Sequence, residues 1–351
     1  MADNSYVVGV DGGTTKTIAL VADSQGHILG AGRRGNSNWS GANVEIPMAV
    51  VVDAVQEALA QARLKGDDIA AGAFCLAGAD WPEDHTRRAD FLQRSGIAKR
   101  VVVKNDSFGG LRAGTRRPYG VVIAAGTGVN AAVIAPDGRE WAYGYYDYAT
   151  GGGASRIARN IIRCVLRHDD GRGPATALTG MVLAKLGYPT VEAMLRAIIA
   201  RELPERRFLT LCPLAFEAAY GGDEVAAGII VDEGLVLADY ATGLIRRFGM
   251  QELEFDVVLS GSVFKGKGPL LIDTITQAVH RVAPRAQIVR LRYEPAVGAV
   301  LLAYDNLGVS VNEEMYQNLA QTTPGEEFFS TADTGTEAGP QSLAAPAQRG
   351  G

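Results

Sequence analysis

The first segment whose residues could do chemistry follows directly on an apolar run, Tyr6–Val10. Glycines permit a tight turn, and the N–H groups of such a turn, with hydroxyls and a cation beside them, can surround phosphate groups. The spacing differs from that of a Walker A loop, and no helix follows it. A glycine-rich hairpin without a ligand is the alternative. The segment consists of Asp11, Gly12, Gly13, Thr14, Thr15, Lys16 and Thr17.

A second turn of the same kind lies much further along the chain, at Gly126, Thr127 and Gly128. Alone it is equally typical of a simple hairpin. Because each turn opens one half of a repeated pattern of elements, we expect the two turns to hold the β- and γ-phosphates of ATP from opposite sides of a cleft. Asp11 would order Mg²⁺, since this ion keeps most of its water shell and needs few carboxylates.

Two strand ends supply the remaining candidates for the site. Asp106 stands where a predicted strand gives way to a helix, so its carboxylate would point into the cleft and suit a general base for an attacking hydroxyl. The alternative is a helix N-cap, a common role for this residue type. Gly261 and Ser262 follow another strand, where small side chains would let an adenine ring approach the backbone. A plain strand-to-helix turn is the alternative there.

The elements that must position these residues form two similar halves. Each half opens with three predicted strands joined by tight turns, and amphipathic helices and two further strands follow. This pattern predicts a duplicated α/β domain, with a mixed sheet in each copy and a cleft between the copies. The predicted strands are Tyr6–Val10, Ile18–Ala22, His27–Ala31, Ala71–Ala77, Arg100–Lys104, Tyr119–Ala125, Val129–Ala135, Glu140–Tyr145, Phe255–Ser260 and Gln287–Leu291.

The predicted domains are 1–117 and 118–294. A closing helix, 295–307, is expected to pack back on the first of them. From Ser310 onward the sequence loses its periodicity and fills with small and polar residues. Residues 310–351 are therefore predicted to be a disordered tail.

Composition limits the function classes. The chain has 351 residues, 47% hydrophobic and 21% charged, which suits a globular protein with a sizeable core. A net charge of −5 without a long basic run argues against nucleic acid as a partner. We expect a cytoplasmic protein with no membrane partner, since neither a leader nor an apolar run of about 20 residues is seen. A homodimer is left open, and the isolated Cys75, Cys164 and Cys212 are expected to be buried thiols.

Taken together, the motifs resemble those of the BadF/BadG/BcrA/BcrD-type ATPase family. The resemblance implies two actin-like (ribonuclease H-like) domains and, within the family, similarity to N-acetylglucosamine kinases and bacterial glucosamine kinases. It implies transfer of the γ-phosphate of ATP to a hydroxyl of an amino sugar or N-acetyl amino sugar. The matching segments are Asp11–Thr17 (phosphate-1), Gly126–Gly128 (phosphate-2), Leu259–Val263 (adenosine) and Glu294–Ala299 (second connecting helix), within residues 5–307.

The same resemblance implies which residues contact the sugar. Asp106 falls on the family's catalytic aspartate, where it would also contact the substrate. Asn36 and Asn38 fall near one sugar-contacting segment, and Gly78 and Asp80 fall near another.

One segment departs from the sugar kinases. Where they carry Gly-Asp-Glu-Gly-Ser, this chain has Ala149–Gly153, so Thr150 stands in place of a sugar-binding aspartate. Asp147 lies a few residues earlier, next to tyrosines that could stack on a sugar ring. Thr150 and Asp147 are both candidate sugar-binding residues. Because a neutral hydroxyl cannot replace a charged acceptor, we expect poor use of N-acetylglucosamine.

Two other functions compete with this one. The family's other branch, ATPases that activate CoA-ester reductases and dehydratases, holds an iron–sulfur cluster with closely spaced cysteines, and this chain has no such spacing. A non-catalytic sugar or nucleotide sensor is compatible with the lost acidic pair. Asp106 and the two phosphate turns favour catalysis over both.

Overall fold

The computed structural model describes residues 5–38, 43–147 and 151–330. A five-stranded sheet opens the chain, with strand order β3-β2-β1-β4-β5. β1 pairs with β2 antiparallel and with β4 parallel, so three strands form a meander and the other two join by helical crossovers. Its strands are β1 (Tyr6–Gly12), β2 (Thr17–Ala22), β3 (Ile28–Arg34), β4 (Ile69–Leu76) and β5 (Val101–Asn105).

The second sheet repeats the first in order and direction. Its order is β10-β9-β6-β7-β8, with β6 antiparallel to β7 and parallel to β9. Each strand therefore has a counterpart in the other sheet, which confirms the predicted duplication. The strands are β6 (Gly120–Ala125), β7 (Val129–Ile134), β8 (Glu140–Ala142), β9 (Asp256–Ser260) and β10 (Gln287–Arg290).

The helices of the first half cover its sheet. Met48, Val51 and Val55 recur at helical spacing on the first helix, and all are fully buried against the sheet. The helical spacing of these apolar residues therefore accounts for both the helix and its buried face. The helices are α1 (Glu45–Ala62), α2 (Pro82–Arg94) and α3 (Asp106–Gly114).

Helices of the second half pack on the other sheet. The longest of them buries an apolar face against β6 and β7. No helix in the described ranges is both long and apolar enough to cross a membrane. These helices are α4 (Gly153–Asp169), α5 (Leu178–Leu186), α6 (Val191–Ile199), α7 (Cys212–Tyr220), α8 (Glu224–Arg247) and α9 (Leu270–His280).

α10 (Pro295–Asn306) packs against β1 and α3, next to the seam between the two sheets. Every residue from 296 to 304 is buried, as expected for a helix that is apolar on all sides. One apolar cluster joins this helix to Phe108 of α3 and to Val122 and Val258 of the second sheet. The two halves therefore share a core directly behind the strand ends that carry the candidate site.

The prediction of disorder from residue 310 is wrong for the first part of that stretch. Two further helices follow, α11 (Glu313–Thr322) and α12 (Glu326–Phe329). The Asn312 side chain caps α11 by accepting a hydrogen bond from the Met315 N–H at 2.9 Å. Met315, Tyr316 and Leu319 are buried on the first half of the protein. Residues 331–351 lie outside the described residues.

Candidate active site

Loop 1, defined as residues 11–17, joins β1 to β2 as a hairpin. The Gly13 N–H donates to the Lys16 carbonyl at 2.8 Å, which closes the turn. The Ala77 N–H donates to the Gly12 carbonyl at 2.8 Å and ties the loop to the chain leaving β4. The two threonines in the middle of the turn are exposed. Loop 1 thus offers hydroxyls, N–H groups and an ammonium to a ligand above it.

Loop 2, defined as Gly126, Thr127 and Gly128, joins β6 to β7. The Gly126 N–H donates to the Gly128 carbonyl at 3.0 Å. The first N–H groups of α4 then hold the loop from behind: Ala154 donates to the Gly126 carbonyl at 2.9 Å, and Ser155 donates to the Thr127 carbonyl at 3.0 Å. Loop 2 is therefore fixed mainly through its backbone.

A buried ion pair fixes the start of α4 in turn. Glu233, on α8, is 0% exposed, accepts a hydrogen bond from the Gly153 N–H at 2.6 Å and pairs with Arg156 at 3.1 Å. Gly153 has a φ of +75°, and an added Cβ would lie 2.4 Å from the Gly128 carbonyl oxygen, so only glycine fits. Glu233 was not among the sequence-based candidates, because a glutamate on an amphipathic helix looks like any solvent-facing residue.

Both loops and the predicted adenosine turn line one cavity of about 740 Å³. The adenosine turn begins at Gly261, whose φ of +110° favours glycine. A Cβ there would lie 2.3 Å from the Ala125 carbonyl oxygen, so only glycine lets the turn after β9 pass this close to the end of β6. The candidate residues that line the cavity are Asp11, Thr15, Lys16, Gly126, Thr127, Gly261 and Ser262.

The carboxylates at the strand ends are strongly perturbed. Burial, then the negative charges of Asp106 and Glu294, raise the pKa of Asp11 to about 7, and Lys16 offsets this only in part. Burial also raises the pKa of Asp106 to about 6, with a smaller contribution from Asp80. Carboxylates held together without matching cations are more typical of a functional site than of a structural one.

Asn105 caps α3, and Asp106 does not. The Asn105 side chain accepts a hydrogen bond from the Ser107 N–H at 3.0 Å, which is the usual N-cap contact. Asp106 is the first residue inside the helix. The N-cap position therefore belongs to Asn105, although the backbone N–H groups of Ser107 and Asp106 still lower the pKa of the Asp106 carboxyl group in part.

A chain of polar side chains leads away from Asp106 on the side of the candidate sugar residues. The Asn105 amide donates to Asp80 at 2.7 Å, and the Asn130 amide donates to Asn105 at 3.0 Å. The Asn130 oxygen accepts from the Gly144 N–H at 3.2 Å. Burial raises the pKa of Asp80. Asn105 and Asn130 were missed as site residues, although each directly adjoins a predicted motif.

The other sugar candidates lie in different places. Asn38 donates through its N–H to the Asn36 side chain at 2.7 Å and through its amide to the Thr14 hydroxyl at 3.0 Å, so this pair adjoins loop 1. Gly78, with a φ of +73°, forms the turn after β4 that leads to Asp80.

The segment after β8 is only partly described. Asp147 ends a short 3₁₀ helix, Gly144–Asp147, and its side chain is outside what the structure describes. Thr150 lies outside the described residues altogether.

A second cavity, of about 420 Å³, adjoins Asp80 and Asn105. Five aromatic rings contribute to its wall, and Trp81 and Tyr146 are 47% and 66% exposed. Exposed aromatic rings beside polar groups suit a ligand with one apolar face and hydroxyl groups, such as a sugar. The aromatic residues are Trp81, Phe108, Trp141, Tyr143 and Tyr146.

The three cysteines are on separate elements. Cys75 is buried on β4, Cys212 is buried on α7, and Cys164 on α4 is half-buried, so the expectation of burial is wrong for Cys164. Burial raises the pKa of the Cys75 thiol.

Comparison with known proteins places the chain in a family. The model of the BadF/BadG/BcrA/BcrD ATPase family matches residues 8–303. The chain belongs to this family. The match spans both sheets, both loops, the adenosine turn and most of α10, and it ends before α11.

Individual relatives align with most of the chain. The chain is 29% identical over 315 residues to an N-acetyl-D-glucosamine kinase from Dictyostelium discoideum, covering 85% of this chain and 98% of the relative. It is 24% identical over 300 residues to an N-acetylmuramic acid/N-acetylglucosamine kinase from Clostridium acetobutylicum, with the same coverage. A crystal structure from Chromobacterium violaceum, provisionally assigned as an N-acetylglucosamine kinase, has a TM-score of 0.63 and 22% identity. The superposition covers 86% of this chain and 99% of the chain in that crystal structure, and the similarity shows that the two share a fold.

Proposed function

We propose that this protein is an ATP-dependent kinase that transfers the γ-phosphate of ATP to a hydroxyl of an amino sugar or N-acetyl amino sugar. One observation carries the proposal: the charge of Asp106 acts both on Asp11, in the wall of the cavity that the two phosphate-type loops line, and on Asp80, which is bonded to Asn105, although Asp106 itself is not part of that wall. Family membership and the sugar kinases among the relatives support the same reaction.

The nucleotide would lie in the larger cavity. Lys16 and the hydroxyl groups of Thr14, Thr15 and Thr127 would bind its phosphates, and the backbone at Gly261 and Ser262 would accommodate the base. Phosphoryl transfer needs mainly positioning and charge stabilisation from the protein. Two loops on opposite walls can provide both.

Asp11 is the proposed magnesium residue. Its half-buried carboxylate faces the charges of Asp106 and Glu294, with only partial compensation from Lys16, so a divalent cation would remove an unfavourable charge distribution. Mg²⁺ usually binds through one or two carboxylates together with phosphate oxygens, which fits this sparse set. Bound there, the ion would neutralise charge on the transferring phosphate.

Asp106 is the proposed general base. A carboxylate whose pKa is raised to about 6 is still mostly ionised at neutral pH, and it is more basic than an ordinary aspartate. It would accept the proton of the attacking hydroxyl. Asn105, bonded to both Asp80 and Asn130, would keep the neighbouring groups in place.

The sugar would lie between Asp106 and the aromatic cavity. Asp80 would accept a hydrogen bond from a hydroxyl, and the exposed rings of Trp81 and Tyr146 could pack on the sugar face. Asn36, Asn38, Gly78, Asp147 and Thr150 are retained as proposed sugar-side residues on the family resemblance alone.

Replacement of Asp106 tests the reaction directly. Asp106→Asn keeps the shape but removes the base, so kcat for the best sugar should fall by about 10²–10⁴, while ATP affinity changes little. Ser107→Ala is the matched control on the next residue and should retain activity. Coupled ADP release over a panel of glucosamine, N-acetylglucosamine and other hexoses gives the rates. Near wild-type turnover by Asp106→Asn would contradict the proposed base.

The same panel tests the sugar. The missing acidic pair predicts a KM for N-acetylglucosamine about 10–150-fold above that of a family member that keeps this pair. Efficient turnover of N-acetylglucosamine would show that Thr150 does not limit sugar binding. ATP hydrolysis that no sugar stimulates would contradict the kinase function.

A further inference from the structure

The chain after α11 returns to loop 1. The Lys16 ammonium donates to the carbonyl oxygen of Phe329, and the Phe329 ring centroid lies 5.8 Å from the same Nζ. Glu326, Phe329 and Ser330 are part of the wall of the larger cavity. The structure therefore gives the nucleotide cavity a wall that comes from the C-terminal part of the chain.

A second cation holds the same segment. Arg33, near the end of β3, donates through one guanidinium nitrogen to the Phe328 carbonyl at 2.8 Å and through another to the Ser330 carbonyl at 2.6 Å. Three successive carbonyls are thus bound by two cations beside loop 1. Carbonyl oxygens bound by a lysine and an arginine are chemically similar to phosphate oxygens bound by the same groups.

We call residues 326–330 the C-terminal strap. They lie beyond residues 8–303, which the family model matches, so family membership assigns them no role. α11 anchors the strap, because Leu319 is buried in the core and the Thr322 hydroxyl accepts a hydrogen bond from the Ile28 N–H at 2.8 Å. Pro324 and Gly325 separate this anchor from the strap.

We propose that the C-terminal strap is an intramolecular competitor for ATP, which occupies Lys16 until the terminal phosphates displace it. The proposal rests on the proposed function, because it requires the larger cavity to bind the nucleotide. Glu326 adds to the competition, since its carboxylate in the cavity wall repels phosphate. ATP then binds only the fraction of molecules whose strap is released, and its apparent affinity is reduced by that fraction.

Two variants release the strap in different ways. A chain ending at Thr323 lacks the strap but keeps α11, whereas Arg33→Ala keeps the full sequence and removes two of the hydrogen bonds that hold the strap on loop 1. Both should bind Mg-ATP about threefold to thirtyfold more tightly than the full chain, because the charge-assisted bonds no longer have to be broken. Titration calorimetry measures this affinity, and near-UV circular dichroism with thermal melting checks that each variant is folded.

Two matched controls separate the strap from general charge and length effects. Arg34→Ala removes an equal charge from the next residue, which pairs with Glu57. A chain ending at Gly335 lacks residues 336–351 but keeps the strap itself. Both controls should bind Mg-ATP as the full chain does. Arg33→Ala in the chain ending at Thr323 should give no further gain.

Hydrogen exchange gives a readout that does not depend on catalysis. Mg-ATP should accelerate exchange in the peptide that covers residues 326–330, because displacement breaks its contacts with loop 1. Slower exchange, or weaker ATP binding by the chain ending at Thr323, would show that the strap closes over the nucleotide and would overturn the proposal. Equal affinity in all variants would also overturn it. No ATP binding by any form would contradict the proposed function itself.

Discussion

Two carboxylates, a half-buried one in loop 1 and a fully buried one behind loop 2, have opposite surroundings. Glu233, behind loop 2, accepts a hydrogen bond from the Gly153 N–H and pairs with Arg156. Asp11, in loop 1, faces Asp106 and Glu294, and its pKa is raised to about 7. The negative charge of Glu233 is compensated by groups of the protein, whereas that of Asp11 is compensated only in part by Lys16. This difference suggests that Glu233 stabilises the fold and that Asp11 is held ready for a ligand.

Loop 1 and loop 2 also differ in the contacts that hold them. Loop 2 is fastened by backbone hydrogen bonds to α4, so its geometry is set before any ligand arrives. Loop 1 has two exposed threonines, and its lysine bonds to a segment from the far end of the chain. One wall of the cavity is preorganised, which favours catalysis by electrostatic stabilisation. The backbone of loop 1 is also held by hydrogen bonds, so its wall differs in the exposed threonines and in the contact of Lys16 with Phe329.

Loss of Glu233 should have the largest effect on stability. Glu233→Ala leaves the Gly153 N–H and Arg156 without their buried partner, so the free energy of unfolding should fall by about 3–5 kcal/mol. Urea denaturation followed by circular dichroism measures it. The matched control is Glu254→Ala, which breaks an exposed pair with Arg117 at 2.6 Å and should cost about 0–1 kcal/mol. Equal losses in the two variants would remove the structural distinction between Glu233 and a surface carboxylate.

Replacement of Asp11 should act in the opposite direction. A carboxyl group whose pKa is raised on folding contributes stability that is complete below its unfolded pKa of about 3.9. That contribution is lost as the pH rises towards the folded pKa of about 7. At pH 8, without Mg²⁺ and nucleotide, Asp11→Asn should therefore raise the free energy of unfolding by at least about 1 kcal/mol. The gain should shrink at pH 5.

The same variant should lose function. Without the carboxylate, Mg²⁺ should no longer improve ATP binding as it does in the wild-type protein, which calorimetry with and without the metal would measure. Gain of stability with loss of metal-dependent binding is the pattern of a functional residue that is costly to the fold. If Asp11→Asn were less stable than the wild type, or if Mg²⁺ still improved its ATP affinity, Asp11 would be a structural residue like Glu233.

Much of this arrangement could be predicted because its determinants are local. Period-two apolar runs and glycine-rich turns locate the strands and both loops, and the repeat of that pattern gives the two-sheet architecture. Asp106 could be proposed because it lies where a strand ends and a helix begins. The sequence could not show that the Asp106 carboxylate is not the N-cap, because this depends on the Asn105 side chain occupying the cap position.

The elements that were missed depend on contacts distant in sequence. Glu233 is a buried partner only because α8 packs behind the start of α4, and no local pattern encodes that. The helix α11 had a local pattern, with Asn312 as a cap and Met315 and Leu319 on one face. The prediction of a disordered tail missed this helix because the residues that follow it are mostly small and polar. The return of Phe329 to Lys16 spans nearly the whole chain and could not be inferred from spacing.

The smallest expected effect concerns the pH dependence of the proposed base. Asp106 has the like charge of Asp80 beside it, where Glu233 has the opposite charge of Arg156. At saturating Mg-ATP, kcat/KM for the sugar should fall as the pH drops through about 6, because Asp106 must be ionised to accept a proton.

In Asp80→Asn the midpoint of this pH profile should move lower by a few tenths of a pH unit, since one negative neighbour of Asp106 is lost. It should stay above the ordinary value of about 3.9, because burial is the larger cause. KM for the sugar should rise in the same variant, as Asp80 is a proposed sugar contact. Glu83→Gln, which removes an exposed carboxylate on α2, is the control and should leave the midpoint unchanged. A midpoint near 4 in the wild type would mean that Asp106 is hydrated like a surface aspartate, and the contrast with Glu233 would then rest on Asp11 alone.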